Sequence, residues 1–264
     1  MLSSEMRACD ILHQDQPKRK LRTAIENTPS GQLLIANNTP LSSVTRGQRL
    51  TFTPVEDYYT GRQDATSGIM FGKMSTNDIE IPVAIKPHDN IASALSEFCI
   101  TQHLISEGHI KPYQPLGFLS GRDSIYTLSA FEDDVVSCDT ITDSTDSTDN
   151  PKKVQRVLLV GAATLAMLHK SGVAHGDAQI KNTAFSVKTG EERAIDLTSS
   201  YFDKSGRGIT DDIHSYIGTL PDYISPVLDD EHIEEYFIDP YLSLVAGALS
   251  KKQQDSVHRV TNNL

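Results

Sequence analysis

His175-Gly176-Asp177-Ala178-Gln179-Ile180-Lys181-Asn182 is the stretch on which the fold turns, together with Asp196 in Ala194-Ile195-Asp196-Leu197, fourteen residues after Asn182. An Asp and an Asn five positions apart, with a second Asp behind a short hairpin, supply one carboxylate to orient a hydroxyl group and two oxygen ligands for a divalent cation. Phosphoryl transfer from a nucleotide needs all three together.

Working outward from that run, Asn150-Pro151 is a helix start, an N-cap with Pro at the first helical position. The apolar series Val154, Val157, Leu158, Ala162, Leu165 and Leu168 then carries a helix to Gly172. This helix delivers the chain into the His175 loop. On the other side, Phe185-Ser186-Val187, Thr189-Gly190 and Ala194-Ile195 predict a hairpin that returns Asp196 beside Asp177. Beyond it, Asp212 to Leu220, Ile233 to Phe237 and Asp239-Pro240 onward to about Val260 are helical by capping and periodicity. The tract Thr142 to Asp149 holds only Ser, Thr and Asp, so it cannot bury surface and is expected as a mobile loop.

The first half reads differently. Leu50-Thr51-Phe52-Thr53, Ile69-Met70-Phe71 and Ile79-Glu80-Ile81-Pro82-Val83-Ala84-Ile85 are strand-like runs parted by Gly, Asn and Asp, the signature of a meander. Asn90 caps the one clear helix of this half, with Ile91, Leu95, Phe98 and Leu104 at helical spacing and Gly108 at its end. Strand pattern returns at Ser124 to Leu128, and Phe131-Glu132-Asp133-Asp134 then connects the two halves.

This order of elements and motifs resembles the protein-kinase-like superfamily over roughly residues 65–220. The implied fold class is α+β and two-lobed. A small antiparallel N-lobe spans residues 51–132, a mainly helical catalytic C-lobe spans 133–264, and residues 1–50 form an extension packed on or flanking the N-lobe. In the family the Lys of Val83-Ala84-Ile85-Lys86 pairs with the α- and β-phosphates and is held by a Glu of the following helix. Glu97 is the best-placed partner for Lys86, with Glu107 as the alternative. His175-Gly176-Asp177 stands where protein kinases have His-Arg-Asp. The resemblance therefore makes Asp177 the catalytic base, Asn182 and Asp196 the magnesium ligands, and Asp212 the cap of the catalytic-loop backbone, with His175 packed beneath the loop. Nucleotide contacts are further implied at Gly72 of the glycine-rich strand-loop and at Phe131 and Glu132 of the connector.

Three departures bear on what the resemblance implies. Ser67 to Met74 keeps one of the three loop glycines, Gly72. The Lys expected two residues after the catalytic Asp is Gln179, with Lys181 nearby. Fifteen residues separate Asp196 from Asp212 with no Ala-Pro-Glu, so the long peptide-docking segment of ordinary protein kinases is missing. In this the chain looks more like aminoglycoside phosphotransferases, choline kinases and RIO-type kinases, while Val-Ala-Ile-Lys leans back toward protein kinases. The implied activity is an ATP- and magnesium-dependent kinase acting on a Ser or Thr hydroxyl of a protein. Two alternatives are a small-molecule kinase and a nucleotide-binding pseudokinase scaffold working with a regulatory partner protein.

Bulk properties narrow the field from the other side. The 264 residues are enough for two lobes with separate cores, and a net charge of 24 − 35 = −11 argues against nucleic acid or an anionic membrane as partner. Cys9, Cys99 and Cys138 are odd in number and widely spaced, which indicates neither a disulfide framework nor a zinc site. His169 and His175 lie six apart, off the spacing of one helical face, with no acidic or Cys set to complete a zinc site. The opening residues carry Glu5 and Asp10 without an apolar stretch, so the expected location is cytoplasmic.

Overall fold

In the computed structural model, residues 2–8, 31–36, 51–55, 69–75, 79–108, 112–120, 125–142, 151–203, 205–224 and 228–261 are described. The expected loop at 142–149 and the cap Asn150 fall outside them, except Thr142, which ends a helix. The chain divides into two compact units, Met1–Thr101 with Tyr113–Asp133, and Gln102–Pro112 with Asp134–Leu264.

The first unit is built on one antiparallel sheet. Its strands are β1 (Leu2–Ala8), β2 (Gly31–Ala36), β3 (Thr51–Pro54), β4 (Met70–Ser75), β5 (Glu80–His88), β6 (Pro115–Ser120) and β7 (Ile125–Ala130), in the order β1-β2-β6-β7-β5-β4-β3. Residues 1–50, expected as an extension on or beside this unit, contribute β1 and β2 to the sheet, β2 pairing with β6 from Gln32↔Ser120 to Ile35↔Gly117. In β5 the side chains alternate. Ile81, Val83 and Ile85 are buried on one face, opposite Met74 and Met70 of β4, and Ala84 and Lys86 project on the other. Lys86 is thus presented by a strand whose register is pinned by its buried alternate residues.

One helix, α1 (Ile91–Glu107), follows β5 directly. Asn90 caps it as the sequence predicts, its Oδ1 accepting the Ser93 N–H at 2.9 Å. Its Ala94 and Phe98 pack on Phe118 of β6, the two aromatic rings 4.6 Å apart, with Ile125 alongside. That contact holds the helix at the sheet through residues four apart on one helical face.

The second unit is mainly helical: α2 (Cys138–Thr142), α3 (Pro151–Lys170), α4 (Arg207–Ile224), α5 (Asp230–Ile233), α6 (Asp239–Leu244) and α7 (Lys251–Thr261). Short strands β8 (Val135–Ser137), β9 (Val173–Ala174), β10 (Thr183–Ser186), β11 (Glu192–Ala194) and β12 (Tyr201–Phe202) are set between them. The core is α3, whose Val157, Leu158, Ala162, Leu165, Ala166 and Leu168 are fully buried. Tyr216 of α4 donates its hydroxyl to the Val157 carbonyl at 3.0 Å and stacks on Phe237, 5.1 Å between centroids, which in turn lies parallel to Tyr241. Asp239-Pro240, expected as a helix start, instead continues a helical run through a π turn at Glu234–Ile238. Pro240 lacks an N–H and its ring crowds the carbonyl four residues back, and a widened turn relieves both. The run stops at Leu244, and α7 begins only at Lys251. Among the described residues no helix is long and apolar enough to cross a membrane.

Candidate active site

The second unit gathers the motif with which the sequence opens. From the end of α3 the chain passes through β9 into the His175 loop, then a 3-10 turn at Ile180–Asn182, then the β10–β11 hairpin. Pairing of Thr183 with Ala194 closes the hairpin, and the Ile195 N–H donates to the Asn182 carbonyl at 3.2 Å. Asn182 and Asp196 therefore lie at the same end of two paired strands. Asn182 is buried and its Nδ2 donates to both the main-chain oxygen of Asp177 (2.8 Å) and its Oδ2 (3.1 Å). Asp177 is also held at Oδ1 by the amide of Gln179, at 2.5 Å. Two neutral amides thus bracket one half-buried carboxylate and set its direction.

Asp196 is the one non-glycine residue with positive φ among the described residues, at φ 54 and ψ 63, in the left-handed region. A residue with a Cβ is held there only where its surroundings over-determine it, at a cost of about 1–3 kcal/mol, and such positions cluster at functional sites. The side chain is exposed and accepts the Thr198 hydroxyl at 2.9 Å. Backbone strain at this Asp is not visible in the sequence.

Beneath the loop, Asp212 of α4 is buried and accepts from three donors: the His175 N–H at 2.6 Å, the Gly176 N–H at 2.8 Å and His169 Nε2 at 3.0 Å. His169 Nδ1 bonds the Tyr241 hydroxyl at 2.7 Å, and burial drives the Tyr241 phenol upward. The kinase resemblance implies Asp212 as the loop cap, and its carboxylate meets the His175 and Gly176 N–H groups. His175 is fully buried, donates Nε2–H to the Ile195 carbonyl at 3.1 Å and leaves Nδ1 without a partner. A carbonyl only accepts, so the neutral Nε2–H tautomer is the one that fits. Burial lowers its pKa, against the opposing pull of Asp212 and the Ile195 carbonyl, so it serves as a neutral strut rather than a base.

Gly176 explains why no Arg stands between His175 and Asp177. Its φ is +77 and a Cβ would run into the Ser199 carbonyl. Ser200 completes the brace, its hydroxyl donating to the His175 carbonyl at 2.9 Å. Nearby Cys138 is buried, and desolvation pushes its thiol up to about 12, so it is an inert packing residue. Lys181 turns its carbonyl to the Ser137 hydroxyl at 2.9 Å and has no side-chain partner among the described residues.

In the first unit, Lys86 Nζ lies 3.1 Å from Glu97 Oε2, both side chains mostly shielded, at 18% and 15% exposure. Of the two acidic candidates, Glu97 is the one that meets Lys86. Gly72 is in mid-strand, paired with Val83, and a Cβ there would meet the Phe52 ring and the Thr53 carbonyl. Residues 56–68 ahead of it are not described. Phe131 donates its N–H to the Pro82 carbonyl at 2.9 Å, and its ring lies 5.0 Å from Phe71 and 6.3 Å from Tyr113. Glu132 follows, half-buried, before the chain enters the second unit at Asp134.

The residues fit a hard divalent cation in part. Asn182 Oδ1 accepts no hydrogen bond among the described residues, and Asp196 adds a carboxylate, so the donor set is all oxygen. Among the described residues no cluster of three or more His, Cys, Asp or Glu is arranged to hold a metal. One amide and one carboxylate would need phosphate oxygens and water to complete a magnesium shell, so metal and nucleotide would bind together.

Comparison with solved structures decides the architecture. The chain is similar to the structure of vaccinia related kinase 3, with 13% sequence identity, 91% of this chain and 86% of that chain covered, and a TM-score of 0.50. The fold is α+β, two-lobed and kinase-like. No protein-family model matches the chain, and no curated protein matches it. The likeness is one of fold alone, and the roles of individual residues rest on their geometry.

Proposed function

We propose that the chain is an ATP- and magnesium-dependent phosphotransferase that phosphorylates a Ser or Thr hydroxyl on a protein. The observation that carries this reading is the arrangement around the β10–β11 hairpin. It holds a carboxylate bracketed by two amides at Asp177, the amide oxygen of the buried Asn182 free of hydrogen bonds among the described residues, and the left-handed Asp196 at the same end of the paired strands. A structural loop has no use for a strained, exposed Asp next to a buried Asn whose oxygen is left unbonded by the protein.

In this reading Lys86, steadied by Glu97, takes the phosphate oxygens of the nucleotide, with Gly72, Phe131 and Glu132 as further nucleotide contacts. Asn182 and Asp196 would hold the magnesium, which supplies charge neutralisation to the phosphates. Asp177 aligns the acceptor hydroxyl. Its oxygen forms the bond to the γ-phosphorus while the bridging oxygen departs with ADP, and the hydroxyl proton passes to the Asp177 carboxylate. Positioning and electrostatics, rather than covalent catalysis, carry the rate enhancement in such a site.

A second acceptor class is favoured by one feature. The stretch from Asp196 to Asp212 is used up by a 3-10 turn at Leu197–Ser199, the short β12 and the start of α4, which leaves no long segment for docking a peptide. A small hydroxylated molecule is therefore the alternative acceptor. Mass-resolved transfer of phosphate from ATP in lysate, with Asp177→Ala as control, tests both. Phosphorylated protein bands lost in the variant support the first reading, and a phosphorylated small molecule supports the second. Equal transfer in wild type and variant removes Asp177 from the chemistry, and nucleotide binding without transfer to any acceptor leaves a pseudokinase.

A further inference from the structure

The pair Lys86–Glu97 has a third member that the motif does not contain. His88 lies two residues beyond Lys86 on β5, so both side chains leave the same face of the strand. Ser93 and Glu97 lie four apart on α1, so both face the same way from the helix. The two faces meet as a quartet. Lys86 reaches Glu97 at 3.1 Å, while His88 Nδ1 reaches the Ser93 hydroxyl at 3.2 Å and its Nε2 stands 3.5 Å from Glu97 Oε2. From the neighbouring strand, Thr127 of β7 meets His88 Nε2 at 2.9 Å. The imidazole is 1% exposed.

Partner chemistry assigns the protons. A carboxylate can only accept, so the nitrogen facing Glu97 carries hydrogen, and the Ser93 hydroxyl donates to the bare Nδ1. His88 thereby ties the first turn of α1 to both β5 and β7 and presents an N–H toward the carboxylate that Lys86 uses. Asn90, capping the helix two residues on, sets the same register from the backbone.

We propose that His88 is a positioning residue that holds the Glu97 carboxylate where Lys86 can reach it. Its consequence for catalysis rests on the phosphotransferase reading above; the coupling of His88 to the pair does not. Loss of one polar contact of this kind changes the occupancy of the Lys86–Glu97 pair by a factor of about 2 to 10.

The test measures Lys86 directly. Folded protein is acetylated with N-hydroxysuccinimidyl acetate at fixed pH, and the labelling rate of Lys86 is read by peptide mass against Lys188, an exposed lysine of the second unit. His88→Leu raises the Lys86 rate by about 2- to 10-fold, toward that of Glu97→Gln, while His88→Gln, which keeps a donor, stays near wild type. An unchanged Lys86 rate in His88→Leu, with Glu97→Gln raised, overturns the proposal. Should His88→Leu fail to fold, the ¹⁵N imidazole spectrum of wild type against Glu97→Gln decides: His88 resonances that shift support the contact, and resonances that stay put refute it. In parallel, the KM for ATP of His88→Leu rises while the acceptor KM stays unchanged. Absence of any phosphate transfer by wild type counts against the phosphotransferase reading, while the Lys86 labelling rate still decides for or against the role of His88.

Discussion

Replacing Asp212 by Ala removes one carboxylate and strands three donors. The His175 and Gly176 main-chain N–H groups at 2.6 and 2.8 Å and His169 Nε2 at 3.0 Å all end on it, in a place where Asp212 is 2% exposed. A buried donor left without an acceptor costs about 1–3 kcal/mol, and breaking a buried charged network about 3–5 kcal/mol. Water entering the vacated volume recovers part of this, so about 4 kcal/mol is the working figure. Against a total stability of about 5–15 kcal/mol this is severe, and it lowers the thermal midpoint by roughly 8–16 °C. Asp212→Asn keeps one accepting oxygen but turns an NH₂ toward another donor, so it loses roughly half as much. Scanning calorimetry gives the midpoint, and hydrogen exchange at the His175 and Gly176 amides locates the damage. A fall of less than about 3 °C in Asp212→Ala, or exchange protection at those two amides equal to wild type, refutes the claim that this carboxylate holds the His175 loop.

Three further outcomes follow from the same loop. Gly176→Ala places a Cβ at φ +77 against the Ser199 carbonyl, so urea unfolding shows a loss of at least about 2 kcal/mol and turnover falls with it; a loss below 0.5, roughly the scatter of a neutral surface change, contradicts the packing argument. Burial depresses the His175 pKa below its ordinary value near 6.5, so the unfolded chain takes up the proton first as pH falls. Stability is therefore lost from about pH 6.5 downward, by at most about 1.4 kcal/mol per pH unit, and denaturant titrations between pH 7.5 and 5 in wild type and His175→Gln, roughly the span of one imidazole titration, will find this slope flattened in the variant. Gln179→Leu removes the amide at 2.5 Å from Asp177 and leaves the carboxylate free to turn, so kcat drops about tenfold or more with the KM for ATP little changed; an unaltered kcat shows that Asn182 alone orients Asp177.

Much of the scaffold was legible because it is held by local rules. Alternation in Ile81 to Ile85 and the Asn90 cap predict a strand running straight into a helix, and β5 and α1 follow that plan. The long apolar series after Pro151 becomes α3, and the hairpin ahead of Asp196 forms as expected. The first fifty residues carry no such signal, since two strands joined to a sheet edge by long-range pairing leave no local mark beyond a short apolar run. The π turn at Glu234–Ile238 escaped for a related reason. Asp239-Pro240 is a start signal by composition, and only the packing of Phe237 between Tyr216 and Tyr241 makes it a continuation.

The sharpest limit of the linear reading is the contrast between two of the shielded histidines, His88 and His175. His88 ends β5 and His175 directly follows β9, and nothing in their neighbours along the chain separates them. Their partners do. His175 has one nitrogen on a carbonyl that can only accept and the other on nothing, so protonation gains it no bond, and desolvation opposes the charge. His88 has hydroxyls at both nitrogens, and a hydroxyl can donate or accept, so either tautomer keeps both of these hydrogen bonds. A carboxylate can only accept, so Glu97 at 3.5 Å from Nε2 suits the tautomer with its hydrogen there. One histidine is therefore a neutral brace with a single bonded nitrogen, while the other is tied at both nitrogens beside Lys86 and Glu97. The difference lies in Ser93 and Thr127, residues that are 5 and 39 positions away from His88 and that no motif contains.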